Sequence, residues 1–92
     1  MNAPLTTQQL KDELAQSLIA RYGPLLSSRD LWQVLGYPSP AAYRQALLRQ
    51  RIPVPLFAIE GRRGRFALAQ EIAQWLAEQR LKTGHGAGPE GE

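Results

Sequence analysis

Residues 27–50, SSRDLWQVLGYPSPAAYRQALLRQ, contain the signals for two consecutive short helices in this 92-residue chain. Ser27 followed three residues later by Asp30 is typical of a capping box that starts a helix. Gly36 stands where a left-handed helix cap is favoured, and Pro38 prevents the helix from continuing. A helix of only about two turns is unstable alone, so we expect it to pack against a neighbour.

The same stretch predicts a second helix directly after Gly36 and Pro38. Ser39 is the predicted N-cap, Pro40 is the predicted first helical residue, and the helix is expected to run to about Gln50. At 100° per residue the segment divides into two faces. The face predicted to point to the core holds Tyr43, Ala46, Leu47 and Gln50, and the face predicted to be exposed holds Ala41, Arg44, Gln45, Leu48 and Arg49.

A longer amphipathic helix is predicted upstream, over residues 6–22. Thr6 and Gln9 form a second capping box, and Gly23 follows the last apolar residue. The apolar stripe of this helix contains Leu10, Leu14 and Leu18. We expect these leucines to form a dimer interface, and the alternative is that they cover the core of the same domain.

Downstream, two apolar runs around a glycine-bounded loop predict a β-hairpin. The runs are residues 56–60 and 65–68, with Gly-Arg-Arg-Gly at 61–64 between them. Alternation places Phe57 with Ile59, and Phe66 with Leu68, on one face of the hairpin. A closing helix is predicted over residues 70–82, and its inward stripe is Ile72, Trp75, Leu76 and Gln79.

These elements predict one mostly helical domain with a small β-hairpin, an α+β fold. Three helices come first, then the hairpin, then a fourth helix, which is the arrangement of a winged helix-turn-helix. The domain is expected to span residues 6–82, with a frayed N-terminus at 1–5 and a disordered glycine-rich tail at 83–92.

The composition argues against catalysis and metal binding. The chain has no cysteine, and its one histidine, His85, lies in the glycine-rich tail. Thiolate ligands, Cys-His catalysis and Ser-His-Asp catalysis therefore lack their residues. We expect no enzymatic activity, no cofactor and no small-molecule ligand. The longest apolar run is far shorter than the roughly 20 residues that span a bilayer, so we expect a cytoplasmic, nucleoid-associated protein with no membrane contact.

The net charge of +3 is unevenly distributed along the chain. Residues 1–40 sum to zero, residues 41–65 sum to +5, and residues 66–92 sum to −2. All six cations of the central segment are arginine, whose planar fork of donors suits phosphate and guanine. A solvated arginine-rich surface is the plain alternative.

An ordered set of short motifs carries a family resemblance over Leu25–Leu76. The motifs are Leu31, Val34-Leu35-Gly36, Tyr43-Arg44, Ile52-Pro53, Gly61-Arg62-Arg63 and Trp75-Leu76. In order and spacing they resemble the excisionase/AlpA-type small regulators, which are related to the DNA-binding domain of the MerR family. The resemblance implies a winged helix-turn-helix that binds DNA as a transcription regulator or a recombination directionality factor of a mobile element. Ala69 departs from the family, which usually has a Ser or Thr cap there, a loss of about 1 kcal/mol.

The expected function is sequence-specific binding of double-stranded DNA, with the helix after Ser39 in the major groove and the arginine-rich wing on the flanking backbone. The expected DNA-binding residues are Ser39, Ala41, Arg44, Gln45, Arg49, Arg62, Arg63 and Arg65. A homodimer or cooperative protomers on DNA are expected, because a single module binds modestly. The alternative is a protein-interaction adaptor whose arginines meet an acidic protein partner.

Overall fold

Four helices and two short strands make up residues 6–83, the part of the chain that the computed structural model describes. In chain order they are α1 (Thr7–Tyr22), β1 (Leu25–Ser27), α2 (Ser28–Val34), α3 (Pro40–Leu48), β2 (Phe66–Leu68) and α4 (Ala69–Thr83). The predicted α+β class is confirmed at this level. The predicted frayed residues 1–5 and residues 84–92 of the predicted tail lie outside the described residues. Thr83 belongs to α4 and not to the tail.

The capping box that starts α1 is confirmed. The Thr6 side chain accepts a hydrogen bond from the backbone N–H of Gln9 at 3.1 Å, and the Gln9 side chain accepts one from the backbone N–H of Thr6 at 2.9 Å. Gly23, with φ of 86°, closes the other end by donating its N–H to the carbonyl of Ile19. The capping box thus satisfies two backbone N–H donors at the start of α1 that would otherwise be unpaired.

The capping box predicted for α2 is wrong. Ser27 is the N-cap residue, but its side chain makes no capping hydrogen bond. Ser27 is also the last residue of β1, where it pairs with Phe66. The extended backbone that precedes α2 is thus fixed by strand pairing, and the helix starts without help from the serine hydroxyl.

The turn after α2 has the predicted glycine. Gly36 has φ of +92° and donates its N–H to the carbonyl of Gln33, while Tyr37 donates to the carbonyl of Trp32. This pair of hydrogen bonds is a Schellman motif, which requires a left-handed residue at the position of Gly36. The chain then reverses direction into α3.

α3 begins as predicted but ends two residues early. Ser39 accepts a hydrogen bond from the backbone N–H of Ala42 at 3.1 Å, and Pro40 is the first helical residue. Leu48 is the last helical residue. Gln50 has φ of +57° and donates its N–H to the carbonyl of Leu47. The helix is closed by the same motif as α2, with glutamine in the position that favours glycine.

The predicted hairpin is present only as a single bridge, and the second run pairs mainly with a different strand. β2 pairs antiparallel with β1, a strand that was not predicted, with Leu26 opposite Ala67. The run at 56–60 contributes a single bridge, in which Phe57 and Phe66 exchange backbone hydrogen bonds of 2.9 and 2.8 Å. Prolines at 53 and 55 lack the backbone N–H that a longer ladder needs.

The predicted facing of β2 is also partly wrong. Phe66 is buried as expected, but Leu68 is 41% exposed and Ala67 is fully buried. The strand is only three residues long and passes directly into α4, so a two-residue alternation is not sustained through Leu68. On the first run, Phe57 and Ile59 are both half-buried.

The core lies between the sheet, α2, α3 and α4. Its buried members are Leu26, Leu31, Tyr43, Val54, Ala67, Ala69 and Ile72. Of the stripe predicted on α4, Ile72 is fully buried, whereas Trp75, Leu76 and Gln79 are half-buried. Ala73 and Ala77 are fully buried instead. α1 packs against α4, and small side chains at buried positions allow close helix packing.

The start of α4 does not need a hydroxyl cap at Ala69. The backbone N–H of Ala69 donates to the carbonyl of Pro24 at 2.9 Å, which extends the β1–β2 pairing by one hydrogen bond. Ala69 itself has no exposed surface, so a hydroxyl there would be buried. In residues 6–83 no helix is both long and apolar enough to cross a membrane.

Candidate nucleic-acid interface

One face of α3 is open to solvent along its whole length. The residues of this face are all exposed, as the helical periodicity predicted. They are Ala41, Arg44, Gln45, Leu48 and Arg49. Tyr43 on the opposite face is only 2% exposed. Gln50, predicted to point to the core, is exposed because the helix ends before it.

Tyr43 fixes the position of α3 on the rest of the domain. Its hydroxyl oxygen lies 3.3 Å from the Oγ atom of Ser28, the first residue of α2. Its ring meets the ring of Tyr37 edge to face, with centroids 5.9 Å apart at 76°. Tyr43 thus contacts both the preceding helix and the turn, which is how α2 and α3 are held as a unit.

Ser39 lies at the N-terminal end of the exposed face and is half-buried. Its Oγ atom accepts the backbone hydrogen bond that caps α3. A serine hydroxyl has one hydrogen to donate as well. Ser39 can therefore cap the helix and donate to an anion at the same time.

The second arginine group lies on the loop between Phe57 and Phe66. The bridge between these two residues closes the base of the loop. Gly61 and Gly64 have φ of +81° and +86°, values that suit glycine in a tight reversal. The loop arginines Arg62, Arg63 and Arg65 are all exposed. We call residues 58–65 the wing loop.

A groove of about 460 Å³ joins the end of α3 to the wing loop. It is lined by Leu47, Leu48, Gln50, Ile52, Val54, Leu56 and Arg65. Arg65 is the wing arginine that this groove brings next to α3. Arg62 and Arg63 do not line it and lie further out on the loop.

A second groove, of about 430 Å³, lies between α2 and α3. Its lining includes Arg29 of α2 and Arg44 of α3, with Trp32 and Leu47 as apolar walls. Arg29 was not among the predicted site residues. Its position just after the predicted start of α2 is the signal that could have found it, because the expected helix-turn-helix would bring the first helix of the pair across the DNA backbone.

The arginines of the basic segment are uncompensated within the described structure. Side-chain hydrogen bonds link other residues, and no ion pair joins these arginines to an acidic side chain of residues 6–83. Glu60 is the single acidic residue of segment 41–65. The positive charge of α3 and the wing loop is thus available to an external anion.

The leucines expected at a dimer interface are all partly buried but differ in what they contact. Leu10, Leu14 and Leu18 are each half-buried. Leu18 packs against the core cluster together with Tyr22, which supports the alternative that this part of α1 covers the domain's own core.

The arrangement of these residues is chemically suited to binding an anion over an extended surface. A helix with an exposed arginine face, a neighbouring arginine loop and a connecting groove are its parts. Comparison of the chain with protein-family models, curated proteins and solved structures finds no match.

Proposed function

We propose that this chain is a winged helix-turn-helix protein that binds double-stranded DNA, with α3 in the major groove and the wing loop on the adjacent backbone. As the resemblance implies, it acts as a transcription regulator or a recombination directionality factor. The observation that carries the proposal is the exposure of uncompensated arginines on two adjacent elements, α3 and the wing loop.

The order of elements supports the winged form. β2 is flanked by β1 on one side and by Phe57 on the other. The wing loop therefore runs from the bridge at Phe57 to the start of β2. In a winged helix-turn-helix the wing occupies this place and reaches the DNA beside the recognition helix.

The shape of α3 supports entry into a groove. Its N-terminal half presents Ala41, a short side chain, and its next turn presents Arg44 and Gln45. A helix with short side chains at its leading end fits a major groove about 12 Å wide. Arginine pairs with guanine, and glutamine pairs with adenine, through two hydrogen bonds each.

Binding of random-sequence duplex DNA across a salt series tests the proposal. We expect the logarithm of the association constant to fall linearly with the logarithm of salt concentration, with a slope of roughly −4 to −5 for four to six phosphate contacts. Arg62→Ala/Arg63→Ala should reduce the steepness of this slope by about 1 to 2.

A matched control removes the same charge elsewhere. Arg80 and Lys82 are exposed on the last turn of α4, so Arg80→Ala/Lys82→Ala changes the net charge equally. We expect this control to keep the wild-type slope. Absence of binding at about 50 mM salt, or equal slopes for the wing variant and the wild type, would favour the adaptor alternative with an acidic protein partner.

A further inference from the structure

Leu48 is the most exposed large apolar side chain in the described part of the protein, with 82% of its surface accessible. It is the last residue of α3 and lies on the same face as Arg44 and Gln45. It also lies two turns from Ala41, on the centre line of the exposed face. An apolar side chain thus stands in the middle of a cationic surface.

Packing within the domain does not cover this side chain. Leu48 borders the groove that also contains Ile52, Leu56 and Arg65, yet most of its surface stays open. α1, which could have covered it, packs against α4 instead. Apolar side chains stabilise a folded domain when they are buried, so a leucine this exposed adds little to the stability of the domain.

The charges around Leu48 indicate which kind of partner could cover its side chain. A second copy docking through the same face would bring Arg44 and Arg49 against their own counterparts, and like charges at an interface are unfavourable. An anionic partner that carries an apolar group meets both features of the surface. In the DNA major groove the apolar group is the C5-methyl group of thymine, and it lies between two rows of phosphates.

We propose that Leu48 contacts the C5-methyl group of a thymine and is a specificity-determining residue of this protein. This inference rests on the proposed function and adds a base preference to it. Arg44, one turn before Leu48 on α3, and Arg49, which directly follows the helix, hold the phosphates or guanines beside the contacted thymine. Leu48 adds no charge, so it affects the choice of sequence and not the salt dependence.

The size of the effect follows from the area of one methyl group. Burying a methyl group against an apolar side chain changes an association constant by about three- to fivefold. Replacing thymine by deoxyuridine removes this group and keeps the hydrogen-bonding edge of the base. The substitution therefore isolates the proposed contact.

The experiment uses the full chain and a duplex selected by it from a random pool. Each thymine of the selected duplex is replaced singly by deoxyuridine, and the dissociation constant is measured at fixed salt. For the wild type, we expect the affinity to fall three- to fivefold when deoxyuridine replaces thymine at one or two of these positions. At those positions Leu48→Ala and Leu48→Gln should bind the two duplexes equally well.

Leu81→Ala is the matched control, because Leu81 is an exposed leucine on α4. It should discriminate thymine from deoxyuridine as the wild type does. Equal binding of all duplexes by the wild type, a loss that persists in both Leu48 variants, or a pool with no preferred sequence overturns the inference and leaves DNA binding intact. A dimeric wild type that becomes monomeric on Leu48→Ala, without discrimination, also overturns it and assigns Leu48 to a protomer contact.

The two proposals fail in different ways. If the wild type binds no duplex at about 50 mM salt, the proposed function itself is wrong. If it binds duplexes with the expected salt slope but ignores the thymine methyl group, only the role of Leu48 is wrong. Circular-dichroism melts of the Leu48 variants confirm that a lost preference does not come from unfolding.

Discussion

The hydroxyl oxygens of Ser28 and Tyr43 lie 3.3 Å apart, and they join the first turn of α2 to the middle of α3. Tyr43 is 2% exposed, so its hydroxyl group has little access to water. A hydrogen bond in such a place contributes about 0.5–1.5 kcal/mol to stability. It also fixes the angle at which α3 presents its exposed face.

We therefore expect Tyr43→Phe to lower the free energy of unfolding by about 0.5–1.5 kcal/mol, and Tyr43→Ala to lower it by about 3–5 kcal/mol. Ser28→Ala tests the other partner. Urea unfolding of the two single variants and of Ser28→Ala/Tyr43→Phe gives the coupling energy. Strictly additive effects would show that the two hydroxyl groups do not interact.

The ends of α2 and α3 offer a second prediction, because one motif is closed by two different residues. Gly36 and Gln50 both have positive φ, +92° and +57°. A residue with a Cβ atom is strained in this region by about 1–2 kcal/mol, whereas glycine is not. Gln50→Gly should raise the free energy of unfolding by about 0.5–1 kcal/mol.

Gly36→Ala is the matched control for Gln50→Gly. A Cβ atom at Gly36 would meet no neighbour within 4 Å, so the whole effect comes from the backbone. We expect a loss of about 1 kcal/mol. Thermal and urea unfolding measure both variants, and a destabilised Gln50→Gly would contradict the conformational argument.

The two serines that precede α2 and α3 give a third prediction. Ser39 makes a side-chain capping hydrogen bond, whereas Ser27 makes none. Ser39→Ala should cost about 1 kcal/mol, and Ser27→Ala should cost only a fraction of that. Helix content and urea midpoints of the two variants test the difference. Equal losses would mean that the serine at 27 stabilises α2 in another way.

Local signals were enough to predict the helices of this chain. Caps and turn glycines act within four residues, so Thr6, Ser39 and Gly36 could be assigned from neighbouring letters alone, although the capping box predicted at Ser27 was wrong. The exposed face of α3 followed from periodicity for the same reason. These residues determine where the arginines of the candidate interface lie on the surface.

Long-range pairing could not be predicted in this way. β1 is three residues long, and its partner Phe66 lies about forty positions further along the chain. No alternation marks so short a strand. The buried Ala73 and Ala77 were missed as well, because alanine is compatible with either environment and its burial depends on where α1 packs.

The leucines of α1 carry a fourth prediction, on oligomeric state. Leu18 packs against the core, so Leu18→Ala should cost about 1–2 kcal/mol, below the range for fully buried leucines. Leu10 and Leu14 are half-buried, and they are not among the residues packed against that cluster. If they form the proposed dimer interface, Leu10→Ala/Leu14→Ala should lower the mass seen by light scattering with little effect on stability. A wild type that stays monomeric at high concentration would rule out this interface.

A final prediction separates the two arginine groups by what each one reads. Arg44 and Gln45 lie on α3, where the proposal places base edges, and Arg62 and Arg63 lie on the wing loop, where it places phosphates. Arg44→Ala or Gln45→Ala should therefore relax the preference for the selected sequence by about 1–3 kcal/mol at the contacted base pair. Arg62→Ala/Arg63→Ala should weaken binding to all sequences about equally and flatten the salt dependence. Competition between selected and random duplexes at two salt concentrations measures both quantities. If the wing variant lost sequence preference while Arg44→Ala lost only affinity, the roles of α3 and the wing loop would have to be exchanged.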